Sequence, residues 1–256
     1  REALADDPRF VVPRVYSDYS THNILCLSFE EGVHISDPSV VSLSQERRNF
    51  LGRAIMELCC REVFEWNKMQ TDPNFGNYLM RVGDDGKDKI VLLDFGAIRD
   101  FDDQVLGPGR EMIRAAWLHD SDRLFGAMRA LEFLDGEVPR RLLDDFAALC
   151  FEAIEALQDP DRFPPPKSVV NEKGEYLWGE SNLPNRVMNR ASRTALSVHF
   201  DVPPKEFIFL FRKLLGAYTF LHVIKAQVRG NTILEPFIHM REEEDRERVA
   251  QKLNGQ

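Results

Sequence analysis

The stretch "MQTDPNFGNYLM", residues 69–80, sets an aspartate, a proline and two asparagines directly before an apolar run, and "IVLLDFGAIRDF", 90–101, ends a second apolar run in Asp94-Phe95-Gly96. The two are joined by "RVGDDGKDK", 81–89, in which Asp85-Gly86 is the signature of a two-residue hairpin turn. With Asp85 and Gly86 as the central pair, residue 84 faces 87, and the ladder predicts Asn77 opposite Asp94. A carboxamide and a carboxylate would then sit side by side at the open end of the hairpin, a register that a slip of one residue destroys.

Such a pair suits a hard cation, because magnesium takes one or two protein oxygens and completes its shell with phosphate oxygens and water. Asp72 lies five residues before Asn77, on the loop entering the same hairpin end. It is placed to act as a base or to orient a hydroxyl. The order Asp72, Asn77, then Asp94-Phe95-Gly96 is the protein-kinase arrangement of acceptor-side aspartate and metal-holding asparagine and aspartate. Either half alone is a weak signal, since turns and strand ends explain most such sequences; the two together around a D-G turn are strong.

Composition limits the alternatives. The chain has 256 residues, 43% hydrophobic and 29% charged, with a net charge of −9, which argues against duplex nucleic acid as a partner. Cys26, Cys59, Cys60 and Cys150 show no metal-site spacing and fit a reducing compartment. The six histidines are scattered without ligand spacing. No secretory leader is read at Arg1, and the most apolar stretch, 206–228, is interrupted by Arg212 and Lys213, so a buried helix is expected there and no membrane span.

Along the chain, "FVVPRVYSDYSTHNILCLSFEEG", 10–32, reads as two strand-like runs about a polar turn. From about Val40 to Lys68 the apolar period becomes helical, with Ser42 or Ser44 as cap. Trp66 is expected in the core. After Asp94 the pattern is mostly helical, with a proline-rich loop at 158–176 as the expected flexible surface segment, an apolar helix at about 204–228, and a charged tail, 241–256, expected as a solvated helix. The fold class is therefore α+β and mostly α.

The two quoted stretches resemble the atypical kinases of the UbiB family, also called AarF-domain or ubiquinone-biosynthesis kinase-like proteins, whose loops read T-D-P-N-x-x-N and L-L-D-F-G-A. "VVPRVY", "ILCLSFEEG" and "PPKEFIFLFRKLLGAY" are similar to further family segments, so the resemblance covers nearly the whole chain. It implies a protein-kinase-like large lobe over 37–256, preceded by the end of a truncated small lobe and its hinge over 1–36. It also implies ATP and magnesium as cofactors, Asp72 as the catalytic-loop aspartate, Asn77 and Asp94 as metal ligands, and Ala97 and Arg99 as family features. Arg99 is expected to pair with Asp100 or Asp102, with a phosphate as the alternative. Backbone groups of Phe29 to Gly32, at Glu30, Glu31 and Gly32, would meet an adenine edge.

The chain also departs from the pattern. No lysine precedes Lys68, and only Gly32 and Gly52 precede Gly76, so the phosphate-covering loop, the strand lysine and the family's K-x-G-Q motif are not found. The expectation is a fragment of a longer protein, with little or no catalysis on its own. No A-P-E follows Asp94-Phe95-Gly96, which disfavours peptide substrates. The resemblance points to ATPase or lipid-linked phosphoryl chemistry in isoprenoid-quinone metabolism, with a nucleotide, a lipid or quinone precursor and a peripheral membrane surface as partners, in the cytoplasm. Two rivals stand: a phosphotransferase of the aminoglycoside or choline kinase type, which would show H-G-D where this chain has Gln70-Thr71-Asp72, and a nonenzymatic kinase-shaped scaffold for a lipid or partner.

Overall fold

A computed structural model of the chain describes residues 1–84, 86–132, 138–195 and 205–254. The path to the quoted loops begins in α2 (Gln45–Cys60), which follows a single turn, α1 (Pro38–Val41). Ser44 is the α2 cap, its hydroxyl accepting the Arg47 N–H at 3.4 Å, and α2 runs on into a π-helical turn over Arg61–Glu65. Asn67 then takes a left-handed conformation (φ 51°), which asparagine tolerates better than most residues, and turns the chain into β2 (Lys68–Gln70). One long sequence period thus resolves into three helical pieces. Trp66 is half-buried beneath the Arg61 guanidinium, 4.5 Å from the ring centre.

The first 36 residues hold less regular pairing than their runs predict. Only β1 (Phe10–Val11) forms a strand; Val15–Leu27 and Thr21–Ile24 are isolated bridges. Pro13 follows β1 without an N–H to offer a ladder, which limits that run. β1 lies parallel to β4 (Lys89–Leu92), which pairs antiparallel with β3 (Tyr78–Arg81). β2 pairs instead with β5 (Ile98–Asp100).

Helices make up the rest of the lobe: α3 (Asp103–Leu118), α4 (Ser121–Ala130), α5 (Arg140–Ala153), α6 (Leu183–Ala195), α7 (Lys205–Val223), α8 (Asn231–Ile238) and α9 (Glu242–Asn254). A two-stranded pair, β6 (Tyr176–Leu177) with β7 (Gln227–Val228), closes the end of α7. The core runs through Leu51, Ala54, Leu58, Tyr218 and Leu221, joining α2 to α7. Among the described residues no helix is long and apolar enough to cross a membrane. The proline-rich segment is tied down at several points: Phe163 stacks on His119 with ring centres 3.8 Å apart, and Asn171 accepts the backbone N–H groups of Lys173 and Glu175.

Between α2, α3, α5 and α7 lies a cavity of about 450 Å³, walled by side chains such as Phe64, Met112, Phe146 and Phe211. Three thiols join that wall. Burial pushes Cys59 up to about 12 and also raises Cys60 and Cys150, so they stay neutral, and among the described residues the lining carries no charge.

The charged tail departs from expectation. α9 is helical, but Asp245 is fully buried between Arg110 and Arg114 of α3, at 2.6 Å and 2.8 Å. Glu242, three residues earlier, accepts from Arg123 at 2.9 Å and from His239 at 3.0 Å. Net charge along a segment says how much of it wants water; it does not say which single carboxylate is enclosed by arginines from another helix.

The docking of α9 is expected to weaken in acid. Partial burial works to raise the Glu242 pKa, yet the bonds from His239 and Arg123 hold it down at about 2. A carboxylate depressed in the folded state stabilises it above the unfolded value, near 4.5, and loses that contribution as pH falls toward the folded value. Amide protection factors within α9, taken relative to the intrinsic exchange rate at each pH, are expected to fall between about pH 4.5 and 2, and less so in Glu242→Gln; unchanged protection across that window would contradict the assignment.

Candidate active site

The two quoted loops leave the same end of neighbouring ladders. β2 hands over to Thr71, whose N–H and hydroxyl both donate to the Ala97 carbonyl, at 3.1 and 2.8 Å, extending the β2–β5 pairing past its formal end. Pro73 and Asn74 follow, and the Asn74 carboxamide accepts the Gly76 N–H at 2.9 Å, capping a short 3₁₀ turn over Phe75–Asn77. The Asn77 N–H then bonds to the Asn74 carbonyl at 3.0 Å, and β3 begins.

The hairpin register differs by one residue from that predicted. Tyr78 pairs with Leu92 and Arg81 with Lys89, and the Leu93 N–H donates to the Asn77 carbonyl at 2.9 Å, so Asn77 stands opposite Leu93 and not Asp94. β3 ends at Arg81 and β4 begins at Lys89, and Asp85 of the predicted Asp85-Gly86 turn lies outside the described residues. The cause of the shift is Asp88, 2% exposed, whose carboxylate takes the Gly83 N–H at 3.2 Å and the Arg47 guanidinium of α2 at 2.8 Å. Satisfying that buried carboxylate shortens the ladder and shifts its pairing.

What links the loops is Gln70. Its carboxamide nitrogen donates to the Asp94 carbonyl at 2.6 Å, and its oxygen accepts the Asp72 N–H at 3.1 Å. Asn77 completes the group: its Nδ2 donates to both the carbonyl and the carboxylate of Asp72, each at 3.3 Å. With Nδ2 committed, Oδ1 is the Asn77 atom suited to a cation. Asp94 is exposed, and one carboxylate oxygen accepts the Gly96 N–H at 2.7 Å, which fixes its rotamer. The donor set is hard oxygen and fits magnesium. Among the described residues no three His, Cys, Asp or Glu side chains converge, so a cation here has to share its shell with phosphate oxygens and water.

α7 rises beneath this group. Gly216 packs so tightly on Pro73 that a Cβ there would lie 2.2 Å from the proline Cβ. One turn earlier, Arg212 brings a guanidinium nitrogen to 3.9 Å from the Asp72 carboxylate. Arg99 does not make the expected ion pair with Asp100 or Asp102; its guanidinium lies 5.0 Å from the centre of the Phe209 ring of α7, and Lys68 takes Asp100 at 3.0 Å. Gln70, Arg212 and Gly216 carry no motif. Gln70 is noticeable only as the residue standing where a phosphotransferase would have histidine, and Arg212 only as a charge in an apolar run.

The expected hinge is fastened to β3. Glu30 accepts from the Ser28 hydroxyl at 2.7 Å and from Arg81 at 2.8 Å, which together hold its carboxyl below the usual range. The Glu31 carbonyl accepts Arg81 Nε at 3.1 Å. Gly32 allows the close approach, since a Cβ would meet that of Leu79 at 2.7 Å, and Val33 and Met80 exchange backbone bonds at 2.8 and 2.9 Å.

The family model for the ABC1 atypical kinase-like domain matches residues 1–128, half of the chain, and includes both loops. The chain belongs to the ABC1 atypical kinase-like family. Within it, the chain is 30% identical over 239 residues to the atypical kinase COQ8B, mitochondrial, of Rattus norvegicus, covering 93% of this chain and 42% of the rat protein. It is 31% identical over 216 residues to the atypical kinase COQ8, mitochondrial, of Saccharomyces cerevisiae, covering 84% of this chain and 40% of the yeast protein. The chain therefore spans about two fifths of the length of these ABC1-family relatives. Among solved structures it resembles Rv3197 of Mycobacterium tuberculosis, determined in complex with erythromycin, with a TM-score of 0.62 and 19% identity over 94% of this chain and 55% of that one. That likeness concerns the fold: a mostly helical, kinase-like lobe with small sheets.

Proposed function

We propose that this chain carries the catalytic and metal-binding half of a magnesium- and ATP-dependent phosphoryl-transfer or ATPase site, acting in the full-length protein. The observation that carries this reading is the Gln70 bridge, which joins Asp72, itself bonded to Asn77, to the loop of Asp94. Asn77 Oδ1 and the Asp94 carboxylate would hold the metal, whose charge offsets that of the nucleotide phosphates. Asp72 would orient an acceptor hydroxyl or water and take its proton. Arg212 keeps that carboxylate beside a positive charge. Adenine would meet backbone groups of Phe29–Gly32 other than the Glu31 carbonyl, which Arg81 engages.

The acceptor we propose is a small or lipid-linked molecule of isoprenoid-quinone metabolism, in line with the COQ8 relatives, whose names place those proteins in mitochondria. For this protein we propose a reducing compartment and a peripheral membrane contact. The uncharged cavity favours a second reading, a kinase-shaped scaffold that binds an apolar molecule without chemistry.

Magnesium-dependent binding of a nonhydrolysable ATP analogue to the full-length protein separates the two. Loss of an outer-shell partner already costs about 10–100-fold in metal affinity, so Asp94→Ala is expected to weaken magnesium-dependent binding by at least about tenfold. Asp72→Asn is expected to keep binding and lose turnover. No binding by the parent protein at millimolar nucleotide would overturn the enzymatic reading and leave the scaffold.

A further inference from the structure

Two oppositely charged residues are buried under the site without belonging to it. Lys213, on α7, is 5% exposed, and Glu62, in the π-helical turn after α2, is 7% exposed; Nζ and Oε2 are 2.6 Å apart. Enclosing such a pair is costly. Two apolar side chains of similar volume usually serve folding as well or better, so stability alone is a weak reason for it to be there.

The β2–β5 ladder supplies a better reason. In an antiparallel pair, alternate residues turn their N–H and C=O toward the neighbour, and those between turn away. The Phe101 N–H bonds to the Asn67 carbonyl and the Thr71 N–H to the Ala97 carbonyl, so residues 67 and 71 face β5 and Gln70 faces away from it. Gln70 is 7% exposed, and its N–H needs an acceptor other than β5. Glu62 is the group placed to supply it: the π-helical turn that carries it packs against β2, the Gln70 N–H works to lower its carboxyl pKa, and the same carboxylate holds the Lys213 ammonium at 2.6 Å. Gln70 in turn holds the Asp94 carbonyl and the Asp72 N–H.

We propose that Glu62 and Lys213 form a positioning pair for the active site, α7 fixing Glu62 through Lys213, and Glu62 fixing the backbone of Gln70 and hence both loops. Neither residue touches a reacting group. The inference rests on the reading above for its effect on turnover, but its effect on the loops does not.

The test is the double variant Glu62→Leu/Lys213→Met in the full-length protein. Removing both charges keeps the melting temperature near that of the parent. Amide exchange at Gln70–Asn77 is expected to become about tenfold faster, the equivalent of one lost hydrogen bond, and turnover to fall about 10–100-fold through kcat, with KM little changed, as for a displaced reacting group. Unchanged exchange at these residues in the folded double variant would overturn the proposal. If Glu62→Leu/Lys213→Met does not fold, Glu62→Gln/Lys213→Met replaces it: the glutamine can still accept the Gln70 N–H but has lost its tether to α7, so exchange at Gln70–Asn77 is expected to rise by about threefold to tenfold, and exchange unchanged from the parent would overturn the proposal. Because exchange is measured without nucleotide, loosened loops in a protein that binds no ATP would refute the enzymatic reading and leave the positioning role intact.

Discussion

Asp245→Ala is expected to destabilise the protein by about 3–5 kcal/mol, as removing one partner of a buried ion pair does. Asp245 is fully buried among three arginines: it accepts hydrogen bonds from Arg110, also fully buried, at 2.6 and 2.8 Å, and from Arg114 at 2.8 Å, with Arg248 at 3.6 Å. Arg110 would keep Asp103 and Asn67, each at 2.8 Å, and Arg114 would keep the Ile238 carbonyl at 2.6 Å and Glu111 at 3.4 Å, so each guanidinium retains partners but loses the fully buried carboxylate that the two share. Asp245→Asn preserves shape and removes charge, and is expected to fall between the parent and Asp245→Ala in urea unfolding. A loss below about 1 kcal/mol for Asp245→Ala would mean that water reaches the arginines and that the network is no more than a surface pair.

Gly216→Val is expected to lower stability by about 1–3 kcal/mol through overpacking and to displace the loop carrying Asp72. The Cβ of any residue at 216 would fall 2.2 Å from Pro73 Cβ and 3.0 Å from its Cγ, and the obstacle is a proline ring, which cannot swing aside. Either α7 or the 72–77 loop has to move. A shift of about 1 Å at a reacting group costs on the order of 100-fold in rate, so turnover of the full-length protein should fall by that order while its helical circular dichroism is kept. Gly109→Ala is the control. Its Cβ would meet only Leu210, at 3.7 Å, and alanine is the better helix former by about 0.5–1 kcal/mol, so that change should be neutral or stabilising. Equal effects of the two substitutions would show that helix propensity, and not the contact with Pro73, governs both.

The sequence by itself determined whatever depends on neighbours a few residues apart. Asp72, Asn74, Asn77 and Asp94-Phe95-Gly96 could be singled out because turn chemistry and helix caps are local: the Asn74 turn and the Ser44 cap each close within three residues. The periodicity placed α2 and α7 for the same reason, and the residues of the two loops carried the resemblance to the family that the chain belongs to.

Only the tertiary structure decided what those residues touch. The hairpin register turned on Asp88 meeting Arg47, 41 residues earlier, and the role of the charged tail on Asp245 meeting Arg110, 135 residues earlier. The site is held together by Gln70, which looked like a departure from a motif, and by α7, whose Arg212, Lys213 and Gly216 arrive from the far end of the chain. Local rules fix a residue's conformation and its appetite for water. Which buried charge finds a partner, and which backbone N–H lacks one, depends on surfaces that exist only once the helices have packed.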